Sequence, residues 1–146
     1  MTERLKYELT DYNEETELFR LRALMDFADV KAGDLGGWVR SSDSLSQYGD
    51  CWVYPEAAVL AAGKVRDNAK IWNKARVSGE ACVKGNAIVR DNAWVTGGAV
   101  IRDFAIVADN AFVTGDAVIC EKAMVLENER VGGKEIRGRG FGWCGT

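Results

Sequence analysis

Residues 81–125 read ACVKGNAIVRDNAWVTGGAVIRDFAIVADNAFVTGDAVICEKAMV, and their spacing decides the fold. Every sixth residue is alanine: Ala81, Ala87, Ala93, Ala99, Ala105, Ala111, Ala117 and Ala123. Two positions after each stands a β-branched residue: Val83, Val89, Val95, Ile101, Val107, Val113, Ile119 and Val125. Carried backwards, the register holds through Cys51, Ala57, Gly63, Ala69 and Ala75, with Val53, Val59, Val65, Ile71 and Val77 two positions on. Thirteen consecutive hexapeptides thus run without a slip. A helix scatters a six-residue period around its axis, whereas residues two apart share one side of a strand. The small and the β-branched residue of each six therefore face inward together. Pairs such as Gly85-Asn86, Asp91-Asn92 and Asp109-Asn110 are turn formers.

Each hexapeptide predicts one short strand and one bend. Three hexapeptides close one triangular coil, so thirteen make slightly more than four coils. Parallel strands stack roughly 4.8 Å apart, which makes the pile on the order of 20 Å tall. One coil cannot bury its own inward face, so stacking supplies the stability, and both ends expose strand edges that need covers.

The pattern of a small residue, any residue, then Val or Ile, followed by three more, resembles the hexapeptide-repeat proteins. That resemblance implies an all-β fold, a left-handed parallel β-helix; the handedness comes from the family, since general crossover preferences favour the opposite hand. The stretch DFADVKAGDLGGWVRSSDSLSQYGDCWVY, residues 26–54, is similar to the entry segment of the YdcK-type group of enterobacterial and prophage proteins, whose transferase label rests on their repeats. The resemblance covers about residues 18–126.

On this reading residues 1–48 form a non-repeat N-terminal cap, 49–126 the β-helix, and 127–146 a short Gly-rich C-terminal tail or flap. In the cap, two strands are expected around a loop from Asp11 to Glu17. Gly33, Gly36 and Gly37 mark turns, and Leu35, Trp38 and Val39 are expected against the first coil. In the tail, Phe141 and Trp143 are expected to lie on the solenoid, beside Arg137 and Arg139.

Composition removes several functions. The net charge is −3, with 1–48 at −4, 49–126 neutral and 127–146 at +1. A protein living on phosphate-backbone contacts is more basic than this, so nucleic acid is not an expected partner. No apolar run approaches the length of a membrane span, and Met1 to Asp11 intersperses its apolar residues with charged and polar ones, so no membrane partner or signal peptide is expected. Four cysteines without a CxxC pair, in a chain with no histidine, read as reduced thiols in a cytoplasm rather than a zinc site. No metal and no cofactor are expected.

The residue between the two inward positions points outward. In the later repeats these are Cys82, Ile88, Trp94, Val100, Ile106, Phe112, Val118 and Met124; in the earlier ones they are Trp52, Ala58, Lys64, Lys70 and Arg76. The later coils are therefore apolar outside, and a soluble monomer rarely leaves so much apolar surface uncovered. Trp94, Phe112, Ile88, Ile106, Met124, Val100 and Val118 form a candidate interface; positions 18 apart stack on one face, so Trp94 lies under Phe112, Ile88 under Ile106 and Met124, and Cys82 under Val100 and Val118. The resemblance implies a homo-oligomer, usually a trimer. Arg66, Lys84 and Arg102 form a candidate anion-binding ladder ending at Cys120, with Asp67, Asp103 and Glu121 beside them; the competing reading is a salt-bridge lattice of low worth per pair. Ser78, Thr96 and Thr114 make a hydroxyl ladder suited to exposed strand.

Acyltransferases of this fold resemble one another in using a histidine base, and the carbonic-anhydrase-like members bind zinc through histidine; this chain has none. Asp103 or Glu121 as a base, or Cys120 as a nucleophile, has no support beyond presence. The expected function is a non-catalytic β-solenoid binding protein that self-associates and binds or sequesters a bacterial protein or a small anionic, nucleotide-like ligand. The resemblance to prophage proteins suggests a phage-encoded inhibitor of a bacterial defence system. The alternatives are a structural scaffold or virion-associated protein, and an atypical acyltransferase without the histidine base.

Overall fold

The structure, a computed structural model, describes residues 5–138. Among them there is no helix, and the strands form three sheets around a triangular solenoid of about six turns. The chain opens with three longer strands, β1 (Tyr7–Asn13), β2 (Leu18–Ala23) and β3 (Leu35–Val39). Two-residue strands then follow, one per hexapeptide, from Trp52–Val53 to Ile136–Arg137. Strands three hexapeptides apart pair in parallel register, as in Val77↔Val95↔Val113↔Val131. The inward alanines and their β-branched partners are almost wholly buried from Ala57 to Val125.

The bend has one cause, repeated. The fifth residue of the hexapeptide lies in the left-handed region, with φ between 51° and 67°, at every repeat from Ala61 to Gly133. That conformation costs L-residues energy, least for Gly, Asn and Asp, which explains much of the choice at these sites. The three corners solve it differently. After the strands that carry Lys70, Ile88, Ile106 and Met124, the corner residues are Asn73, Asp91, Asp109 and Glu127. Here Asn73 Oδ1 accepts Asp91 N–H, Asp91 Oδ2 accepts Asp109 N–H, and Asp109 Oδ2 accepts Glu127 N–H, at 3.1, 3.1 and 2.9 Å. Each of these side chains clips its corner to the next coil. The opposite solution is Gly79, Gly97, Gly115 and Gly133; a Cβ on Gly115 would lie 2.4 Å from Gly133 N. The third corner mixes both, with Asp67 accepting from Gly85 N–H and Asp103 from Glu121 N–H.

The solenoid extends past both expected boundaries. Val39 pairs with Val59 and Leu45 bridges to Val65, so both occupy inward coil positions. Each is offset from its partner by two positions more than the regular repeat, because two extra residues sit between Leu45 and Val53. The insertion hides this coil from a strict six-residue register. At the other end, Arg130–Val131 and Ile136–Arg137 continue the ladder beyond residue 126. That accounts for about six turns where the sequence register counts little more than four. The expected placement of Arg139, Phe141 and Trp143 lies outside the described residues.

β1 and β2 pair antiparallel, and β2 pairs antiparallel with β3, extending the first sheet past the first coil as an edge cover. Leu18, Leu21, Ala23 and Tyr7 are buried, and the Tyr7 hydroxyl donates to the carbonyls of Leu45 and Ser42. Lys6 is only 3% exposed; its amine donates to Cys51 O at 2.8 Å, Gly49 O at 3.2 Å and Cys51 Sγ at 3.4 Å, which uses all three of its N–H bonds. Burial pushes the Lys6 amine below its usual range and the Cys51 thiol above its own. Burial also raises Tyr7 and Tyr54, the latter helped by the hydrogen bond from its hydroxyl to Asp29 at 2.6 Å.

This cover changes two outward positions. Trp52 is buried against Phe27 and Tyr7, and Ala58 is only 9% exposed, so the outside of the first coils is not uniformly charged. Leu35 is not packed as expected; it is 44% exposed, while Val39 is in the core. Cys51, which is buried, and Cys82, which is half-buried, are free thiols.

Candidate functional site

A triangular coil carries its three outward residues to three different faces. The seven expected interface residues fall on three faces, as their 18-residue spacing predicts. Ile88, Ile106 and Met124 stack above Trp52 and Lys70 on the second face. Val100 and Val118 stack between Cys82 and Ile136 on the third. Trp94 and Phe112 stand on the first face, in the column Trp38–Ala58–Arg76–Trp94–Phe112–Arg130. Two faces are aliphatic over their later coils, and the first is aromatic and cationic.

On the first face the rings are held in place. Trp94 Nε1 donates to Ser78 Oγ at 2.9 Å, and Ser78 Oγ donates to Thr96 Oγ1 at 2.9 Å. The hydroxyl ladder thus orients an indole that remains 46% exposed. Phe112 meets Trp94 edge-on at 5.6 Å and 77°, and the Arg130 guanidinium lies over Phe112 at 5.3 Å. At the other end, Arg20 lies over Trp38 at 5.4 Å while its Nε donates to Gly36 O. Arg76, between these groups, makes no ion pair or side-chain hydrogen bond among the described residues, and neither does Lys74 beside it.

Two hollows meet at Arg76. One, of about 240 Å³, lies under the β1–β2 turn and is lined by Asn13, Thr16, Trp38, Glu56, Ala58 and Arg76. The other, of about 330 Å³, is lined by Leu60, Lys74, Arg76, Ser78, Asn92 and Trp94. Arg76 lines both; Ala58 lies on the floor of the first, between Trp38 and Arg76, where its methyl is the shortest side chain of the column. With rows roughly 4.8 Å apart, the three steps from Trp38 to Trp94 span about 14 Å.

The expected anion ladder is also brought together, on the edge beside the third face, because Val65, Val83 and Ile101 pair in register. Its charge is partly engaged. Arg102 pairs with Asp103 at 3.4 Å, and Asp67 and Asp103 accept from backbone amides of the next coil. Cys120, which ends that column, is buried. Among the described residues no cluster of acids and cysteines is arranged to hold a metal ion.

Sequence reasoning found Trp94 and Phe112 but missed Arg76, Lys74, Trp38 and Ala58 as their neighbours. Arg76 stands three hexapeptides before Trp94, a readable signal. Trp38 precedes Ala58 by two positions more than that, and the insertion conceals the alignment.

No protein-family model matches the chain. The chain is similar to a curated protein, the uncharacterized acetyltransferase YdcK of Escherichia coli (strain K12), at 38% identity over 64 residues. The aligned stretch is 43% of this chain and 20% of that protein, so the match spans about a fifth of the relative's length.

Proposed function

We propose that this chain is a non-catalytic solenoid binding protein that assembles with copies of itself through its two aliphatic faces and holds a small anionic ligand on the remaining one. The observation that carries the reading is the division of labour among the faces. Two bear aliphatic columns, and the first bears fixed rings beside cations that have no partner among the described residues. A three-fold ring is a head-to-tail assembly, in which each protomer offers two different surfaces. The columns Ile88–Ile106–Met124 and Val100–Val118 supply two such surfaces, and a trimer follows the resemblance as well. The further step, that the protein is a phage-encoded inhibitor sequestering part of a bacterial defence system, rests on the resemblance and on the binding surface alone.

Native mass spectrometry of the full chain tests the assembly. Three copies are expected, and monomers from Ile106→Lys or from Val100→Lys. A mixture of those two variants should stop at heterodimers, since each retains the surface the other lacks. A wild-type monomer at micromolar concentration would sink the self-association reading.

The relative's name favours a second reading, acyl transfer. Such chemistry needs a base near neutral pKa, and the chain has no histidine. Cys120 is buried, out of a substrate's reach, and Asp103 is held by Glu121 N–H and by Arg102. Saturable binding of acetyl-coenzyme A, with turnover on any amine or hydroxyl acceptor, would establish acyl transfer; no binding at millimolar ligand would end it.

A further inference from the structure

We infer that the hollow between Arg76 and Trp94 is a binding site for a planar ring that carries a phosphate, a ligand of mononucleotide class. This rests on the reading of the chain as a binding module, and names the ligand and the site. The hollow, at about 330 Å³, has the volume at which small-molecule sites begin. One wall is an indole fixed by its own hydrogen bond to Ser78 and by Phe112 behind it. A fixed, half-exposed ring offers a stacking surface at little entropic cost, and stacking tolerates any planar base.

The opposite side is cationic. Arg76 is placed one row from Trp94, with Lys74 two positions before it on the rim. Neither has a carboxylate partner among the described residues, although acids are abundant nearby: Asp91 is occupied by Arg90 and by Asp109 N–H. Arg20 and Arg130 already lie over rings, which leaves Arg76 as the guanidinium of this column that can form a two-pronged bond with a phosphate. Ser78 cannot substitute, because its hydroxyl both donates to Thr96 and accepts from Trp94. Glu56, across Arg76 in the adjoining hollow, would repel a second phosphate there, so the charge is expected near Lys74 and the neutral remainder of a longer ligand over Ala58.

The test uses the full-length protein and calorimetric titration with three probes: adenosine 5′-monophosphate, adenosine and inorganic phosphate. The monophosphate is expected to bind at least tenfold more tightly than either part alone. Arg76→Gln should weaken the monophosphate tenfold or more and leave adenosine unchanged. Trp94→Leu should weaken both. Arg66→Gln, on the other ladder, should change nothing. Thermal melts of each variant check the fold. Equal binding by wild type and both site variants, or loss in Arg66→Gln instead, would overturn the site while leaving a ligand-binding module. Inorganic phosphate binding as well as the monophosphate would overturn the ring. No binding of any probe at millimolar concentration, with the homo-oligomer intact, would overturn the ligand class and leave self-association standing.

Discussion

The indole N–H of Trp94 donates to the hydroxyl of Ser78, which lies in the preceding coil 2.9 Å away. An exposed tryptophan on a solenoid face would ordinarily sample several rotamers; this one is tied down from below and wedged by Phe112 from above. Replacing Ser78 by Ala should cost the fold at most about 1 kcal/mol, because water can take over an exposed donor. It should nevertheless weaken binding of a ring-bearing ligand by roughly three- to tenfold, through lost preorganisation. Ser78→Thr, which keeps the acceptor, should bind as wild type. Titration of the three proteins side by side checks this.

Two glycines with nearly the same backbone should respond very differently to a methyl group. Gly115 and Gly133 have φ of 66° and 64°. A Cβ at Gly115 meets Gly133 N at 2.4 Å, whereas one at Gly133 meets nothing within 4 Å. Gly133→Ala should cost about 1–2 kcal/mol, the left-handed penalty alone. Gly115→Ala should cost clearly more, because two coils must separate. Urea unfolding of both variants gives the difference; equal losses would mean that the coils are looser at this corner than the structure has them.

Asp109 sits in the left-handed region with its carboxylate on Glu127 N–H. Asn keeps both the acceptor and the tolerance for this backbone, so Asp109→Asn should stay within about 0.5 kcal/mol of wild type. Ala keeps neither, and Asp109→Ala should lose about 1–3 kcal/mol. Gly should fall between, regaining backbone freedom without the acceptor. The order Asp, Asn, then Gly, then Ala in denaturation midpoint is the signature of a coil-to-coil clip; Ala equal to Asn would show that the clip contributes nothing.

Alkaline pH should unfold the cap first. Burial raises the folded-state pKa of Tyr7 and Tyr54 above the ordinary 10.0, and of Cys51 above 9.0. A raised acid keeps its proton when folded and loses it when unfolded, so the folded state binds more protons and stability falls as pH rises past the unfolded value. The decline should begin near pH 9 and steepen above 10. Lys6, lowered by burial, works with the opposite sign: its penalty is relieved as pH approaches the ordinary 10.5, which partly offsets the fall. Tyr7→Phe with Tyr54→Phe should flatten the decline above pH 10 in a stability-versus-pH series, even if the double variant is less stable at pH 7 for want of the Asp29 and Leu45 hydrogen bonds.

The repeat from Cys51 to Val125 determined the solenoid, its three faces and the identity of its core, because a six-residue period is compatible with a strand and a bend and with little else. It also identified Trp94 and Phe112 as outward rings. Other features were out of reach for physical reasons. The first coil was hidden because an insertion of two residues breaks the register without breaking the stack, as Val39 and Leu45 show. The last strands were hidden because Glu129 and Glu135 replace the small inward residue near the end of the pile, where crowding is relieved. The burial of Trp52 and Ala58 depends on a cap that folds back from earlier in the chain. The 18-residue spacing already divided the outward residues among three faces, Trp94 with Phe112, Ile88 with Ile106 and Met124, and Cys82 with Val100 and Val118. Strand alternation distinguishes inside from outside. How side chains of neighbouring hexapeptides meet across a corner depends on how three strands close one coil, and so does the hollow that Arg76 and Trp94 share, which no acid among the described residues lines.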